Sequence, residues 1–160
     1  MAIKSLGYVG VISQQLDAWQ QFACAVMGLE DVSERCGAGP DARYFKMDDH
    51  PYRLFVESGE AESLGVCGWE TNSEQGLQEV ADALSAAKIE FSWGSEELIE
   101  RRKVQNLLTF TDPSGNKHEA YWGVVSDFAT CCAVQQRHHQ ILGLSRILHT
   151  TIHPLHQHSR

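Results

Sequence analysis

Histidine and carboxylate side chains are the ligands of iron and zinc sites, and His118 and Glu119 stand side by side in "FTDPSGNKHEAYWG", Phe110 to Gly123. The Asp112-Pro113-Ser114-Gly115 stretch before them is turn-forming, so the pair is expected near the start of a strand over Lys117 to Trp122. Successive strand side chains point to opposite faces, so His118 and Glu119 cannot both bind one metal ion. Three smaller candidates carry less. Asp48-Asp49 offers two carboxylates, but adjacent side chains in a turn diverge, and His50 in the same "DDHPY" turn is expected to face solvent. Arg101-Arg102-Lys103, the one dense basic run, reads as a solvated face. No Ser-His-Asp set, glycine-rich phosphate loop or cysteine-nucleophile context is recognisable, which removes support for hydrolase and nucleotide-binding readings.

The elements that must position these residues come in two copies. "LGYVGV" at Leu6 to Val11 and "LGVCGW" at Leu64 to Trp69 share Leu-Gly-x-x-Gly, and similar material follows each. After the first, Ser13 is a candidate N-cap for a helix with Leu16, Trp19, Phe22, Ala23 and Val26 on one face and Gly28 as its left-handed end. After the second, Ser73 is the candidate N-cap, Leu77, Val80, Ala81 and Leu84 form the apolar face, and Lys88 stands where the first copy has glycine. Strands are predicted at about Leu29 to Glu34, Ala42 to Met47 and Tyr52 to Glu57, then at Ile89 to Trp93, Asn106 to Thr111 and Lys117 to Trp122, with a short helix over "SEELIERRK". The expected fold is α+β, paired βαβββ modules at about residues 3–58 and 62–123 that build a cupped mixed sheet with flanking helices. Trp69, Trp93, Tyr121 and Trp122 could line such a cup, although aromatics on strands more often fill a core.

Composition narrows the partners. All 21 acidic residues but only ten of the 13 lysines and arginines lie at or before Asp127, so the body carries −11 and the rest +3 of the total −8. An acidic body argues against nucleic acid, which needs a basic face. No run of about 18 apolar residues could cross a membrane, and no signal pattern opens the chain, so a soluble cytoplasmic protein is expected. Five cysteines without Cys-x-x-Cys fit reduced thiols, with Cys24 and Cys67 among apolar residues as buried small hydrophobes. Composition changes abruptly at residues 129–160, which hold six of the eight histidines and no acidic residue. This segment reads either as a non-family tail, poorly ordered or partly helical over about Val134 to Leu148, or as a metal-binding tract using Cys131, Cys132, His138, His139, His149 and His153.

Over residues 3 to 128 the stretches "IKSLGYVGV", "LDAWQQFACAVMGLE", "LGVCGWE" and "ERRKVQNLLTFTDPSGNKHEAYWG" resemble the amino-terminal domain of type I extradiol ring-cleavage dioxygenases, of the vicinal-oxygen-chelate superfamily, that act on 2,3-dihydroxybiphenyl and 1,2-dihydroxynaphthalene. The resemblance implies extradiol (meta) cleavage of catechol-type aromatics in aromatic hydrocarbon catabolism, with Fe(II), or Mn(II), held by two histidines and a glutamate in a second, carboxy-terminal copy of the paired module. It implies a homo-oligomer or packing against that catalytic domain. Against the ligand pattern of the catalytic copy, this chain has Tyr8 for the first histidine, Val66 and Cys67 for the second, and Glu100, Arg101 and Arg102 where a histidine of the glutamate signature falls; only Glu119 matches. The expectation is therefore the amino-terminal domain of such an enzyme without a metal site of its own and with no catalytic residue assigned. The alternatives are a truncated or structural half without activity, or a metal-free aromatic-ligand-binding module like the bleomycin-resistance proteins.

Overall fold

Both Leu-Gly-x-x-Gly repeats lie on long strands that pair antiparallel at the middle of one sheet. In a computed structural model, which describes residues 2–126, these are β1 (Ile3–Ser13) and β5 (Ser63–Thr71). The first module continues through α1 (Leu16–Gln21), a π-helical turn (Phe22–Val26), β2 (Glu30–Asp31), β3 (Ala42–Lys46) and β4 (Leu54–Ser58). The second continues through α2 (Glu74–Ala86), β6 (Phe91–Trp93), α3 (Glu96–Arg102), β7 (Asn106–Thr111) and β8 (Lys117–Trp122). The eight strands run in the order β2-β3-β4-β1-β5-β8-β7-β6, so each module's last strand lies parallel beside its first. This is the α+β, paired βαβββ architecture expected from the repeat.

The register makes the repeat quantitative. Val9 faces Leu54 across β1 and β4, and Cys67, which holds Val9's place in the second repeat, faces His118 across β5 and β8. It follows that Tyr8 corresponds to Val66 and Phe55 to Glu119. One face of the sheet carries the central cluster of Tyr8, Tyr44, Tyr52, Phe55, Val66, Leu107 and Tyr121. On the other face α2 buries Leu77, Ala81 and Leu84 against Leu108 and Ala120, while Ala23 and Leu29 pack on Phe45 and Val56. Glycines allow the central rings to lie flat on the strands: a Cβ on Gly7 would land on the Tyr121 hydroxyl, and one on Gly68 would clash with the Tyr8 ring at 2.2 Å.

The second module follows the sequence closely. Ser73 caps α2 by accepting from the Gly76 N–H at 3.1 Å. Lys88 takes the left-handed conformation at its end, φ 58°, where Gly28 in the first module has φ 72°. In the first module several expectations fail. Ser13 ends β1 and its Oγ accepts from the Gln15 N–H at 3.0 Å, whereas α1 itself begins after Gln15 with no side-chain cap. The π turn then advances the backbone out of phase with a 3.6-residue repeat, so Ala23 is buried but Phe22 (46%) and Val26 (70%) are exposed. Cys24 is exposed rather than buried for the same reason, and Cys67 is only half-buried, on the sheet face opposite the central cluster. β2 is cut to two residues because Asp31 Oδ1 accepts from the Ser33 N–H at 2.9 Å and from its hydroxyl at 2.5 Å, turning the chain off the sheet edge. Tyr52 precedes β4 and Ile89 precedes β6 rather than lying in them. The expectations for residues 129–160, the helix and the histidine and cysteine tract included, fall outside the described residues.

Candidate functional site

Period-two alternation on β8 sends Glu119 and Tyr121 to the inner face with the central cluster, and His118 and Ala120 to the helix-bearing face. Glu119 is 6% exposed and needs partners there. They come from α3. Ser95 caps this helix by accepting from the Leu98 N–H at 3.2 Å, and Lys103 ends it in the left-handed conformation with φ 55°. Arg102, on the last helical turn, is thereby turned into the protein, 4% exposed. Its Nε donates to Glu119 Oε2 at 2.8 Å and its Nη2 to Oε1 at 3.0 Å, a two-pronged fork. The Tyr8 hydroxyl donates to the same Oε2 in a short hydrogen bond. The guanidinium lies over the Phe55 ring, 4.4 Å from its centre, and 5.6 Å from that of Tyr8. Three of the positions in question, Tyr8, Arg102 and Glu119, thus converge, with Phe55, the counterpart of Glu119, beneath them.

Burial alone would lower the Arg102 pKa, but the hydrogen bonds and charge of Glu119 outweigh it and hold the guanidinium more firmly protonated than usual. For Tyr8, burial and then the Glu119 charge push the hydroxyl well above its ordinary value, so it remains a donor. The arrangement does not fit a ferrous ion. Both oxygens of the one candidate ligand are engaged by a fixed cation, the positions of the other ligands hold a protonated phenol and valine, and a metal would have to sit against a guanidinium. Among the described residues no three His, Cys, Asp or Glu side chains converge as a metal site would require.

The reading of Arg101-Arg102-Lys103 as a solvated face is corrected at Arg102; Arg101 remains half exposed. The signal was present, since Arg102 is among the residues that fall where the glutamate signature places a histidine. His118 is committed elsewhere. Trp69 Nε1 donates to its Nδ1 at 3.0 Å, so Nε2 carries the proton and donates to Asp112 Oδ2 at 3.2 Å. His50 is not solvent-facing either: its Nε2 lies 3.2 Å from Glu70 Oε2, and Lys4 donates to the other Glu70 oxygen at 2.8 Å. Burial would raise the Glu70 pKa, yet these two partners bring it below the usual carboxylate range. Asp48 is held by Arg53, whose Nε donates to its two oxygens at 3.0 and 2.8 Å. The four aromatics do not share a cup. Tyr121 is in the central cluster, Trp69 and Trp122 are on the helix-bearing face, and Trp93 is 47% exposed on the edge strand β6.

Residues 6–59 match the family model described as dihydroxybiphenyl dioxygenase BphC D1. An iron-dependent extradiol dioxygenase of Rhodococcus jostii (strain RHA1) is 44% identical over 123 residues, covering 77% of this chain and 40% of that protein. By sequence the domain is similar to the extradiol dioxygenases. A biphenyl-2,3-diol 1,2-dioxygenase of Paraburkholderia xenovorans (strain LB400) is similar to this domain at 34% identity over 128 residues, 80% of this chain and 42% of that protein. The domain superimposes on a solved catechol 2,3-dioxygenase with a TM-score of 0.75 and 30% identity, covering 82% of this chain and 43% of that one. For BphC, a halotolerant catechol dioxygenase, the TM-score is 0.74 at 28% identity, with 81% and 42% covered. The chain therefore spans about two fifths of the length of the curated relatives it matches. Among the described residues no helix is long and apolar enough to cross a membrane.

Proposed function

We propose that residues 1–128 serve as the amino-terminal domain of an extradiol ring-cleavage dioxygenase for catechol-type substrates such as 2,3-dihydroxybiphenyl, in the cytoplasm. On this reading the Fe(II), or Mn(II), site lies outside residues 1–128, in a catalytic domain or assembly that this domain supports. Residues 129–160 are a segment distinct from the domain. The observation that carries the reading is the Arg102 fork on Glu119. It keeps the family carboxylate in place while giving it a role that excludes a metal, so the domain contributes structure rather than ring-opening chemistry.

The test is anaerobic loading of the full chain with Fe(II) or Mn(II), followed by metal analysis and addition of 2,3-dihydroxybiphenyl in air. Substoichiometric metal and no yellow ring-opened product are expected. Stoichiometric iron with turnover would overturn the assignment of Glu119 to a structural role.

A further inference from the structure

Arg102 uses only part of its guanidinium on Glu119. Its Nη1 is buried and has no hydrogen-bond partner among the described residues. The nearest carboxylate toward it is Glu57, whose Oε1 is 3.9 Å away, beyond hydrogen-bond length. Arg101 Nη1 reaches the same oxygen at 3.6 Å, also long. A buried charged donor left unmatched is unfavourable, and one carboxylate oxygen shared loosely between two arginines does not match it.

These groups stand at a half-open cavity of about 570 Å³, within the range of small-molecule sites. Arg102 and Glu119 form part of its wall, and Phe55, Val66, Ile12 and Leu98 give it an apolar side. Glu57 and Arg101 line both this cavity and a second of about 360 Å³ beyond it. The Glu57–Arg101 pair is therefore a partition, built from a half-exposed arginine and a carboxylate near the end of β4. We propose that this half-open cavity is a binding site for a small monocarboxylate with an apolar body. The incoming carboxylate displaces Glu57 from Arg101 and bonds the free edge of Arg102, while its apolar part lies against Phe55, Val66 and Leu98. Charge selects a monoanion: the lining sets Arg101, Arg102 and Lys117 against Glu57, Glu90 and Glu119, so turning Glu57 aside leaves one positive charge for one incoming negative charge to neutralise.

The proposal goes beyond the ring-cleavage assignment and is independent of it, because it concerns the metal-free chain. Isotope-labelled full chain is titrated with benzoate and, separately, with benzamide, an uncharged molecule of the same shape. Benzoate is expected to give saturable shifts at the amides of Phe55, Val66 and Leu98, with benzamide at least about tenfold weaker. Arg101→Ala, at a half-exposed position, is expected to weaken benzoate several-fold, and Glu57→Gln, which removes the competing charge, to tighten it. Absence of saturable shifts, equal affinity for the two probes, or benzoate affinity unchanged in both variants would overturn the proposal. Loss of ring-cleavage activity, or its presence, would leave it standing.

Discussion

Arg102 and Glu119, 17 residues apart in sequence, form a two-pronged buried ion pair at 2.8 and 3.0 Å between the end of α3 and the middle of β8. Each partner is expensive to bury alone and acceptable beside the other. Arg102→Leu is expected to destabilise the domain by about 3–5 kcal/mol, since it leaves the Glu119 charge buried without its counter-ion. The double variant Arg102→Leu, Glu119→Leu should be more stable than Arg102→Leu alone. Urea denaturation of the four members of this cycle checks the coupling. Additive effects would show that the fork contributes nothing beyond its parts.

The flat stacking of Tyr8 on Tyr121, ring centres 5.1 Å apart, depends on the absent side chains of Gly7 and Gly68. Gly68→Ala is expected to lower stability by about 1–3 kcal/mol through overpacking against the Tyr8 ring. Gly39→Ala, where a Cβ would meet nothing within 4 Å, should be neutral or slightly stabilising. Thermal unfolding of the two variants side by side distinguishes a packing effect from a general glycine effect.

Lys88 sits in the left-handed region at the end of α2, and the Ile89 N–H closes the turn onto Leu84 O at 2.9 Å. Lys88→Gly relieves the steric strain on the Cβ and is expected to stabilise by about 0.5–1 kcal/mol. An unchanged or lower melting temperature would contradict this.

Asp112 organises the turn before β8: it accepts from the Asn116 side chain at 2.8 Å and backbone at 2.9 Å, from the Ser114 N–H at 2.8 Å, and from His118. Led by the Asn116 bonds, these hold its pKa well below the ordinary 3.8. A carboxylate with a depressed folded pKa adds stability that is complete above its unfolded value and is lost as pH falls toward the folded one. The acid limb of the stability profile, below about pH 4, should therefore be shallower in Asp112→Asn than in the parent chain. Identical slopes would remove the turn from the acid response.

Which of these relationships could be read from the residues depends on their range. The cap at Ser73, the left-handed Lys88 and the strands β7 and β8 follow from local preferences, and all stand at the predicted positions. Tertiary choices are different. The π turn that exposes Phe22, Cys24 and Val26 has no periodic signature, and it overrode a regular apolar spacing. His50 looked solvent-facing because it lies in a turn and its partner Glu70 is far off in sequence, on β5. Arg102 looked like surface because a basic run reads as hydrated, and only a distant glutamate makes its burial possible. The resemblance singled out Tyr8, Arg102 and Glu119 together, which local pattern did not, and the structure joins the three by hydrogen bonds.

The cation that balances Glu119 belongs to the chain itself. A guanidinium stays charged throughout the pH range in which proteins fold, has no second oxidation state and cannot be removed by a chelator. The Glu119 pocket can accordingly form without any metal ion and keep its shape under reducing and oxidising conditions alike, a redox-indifferent centre for the fold around it.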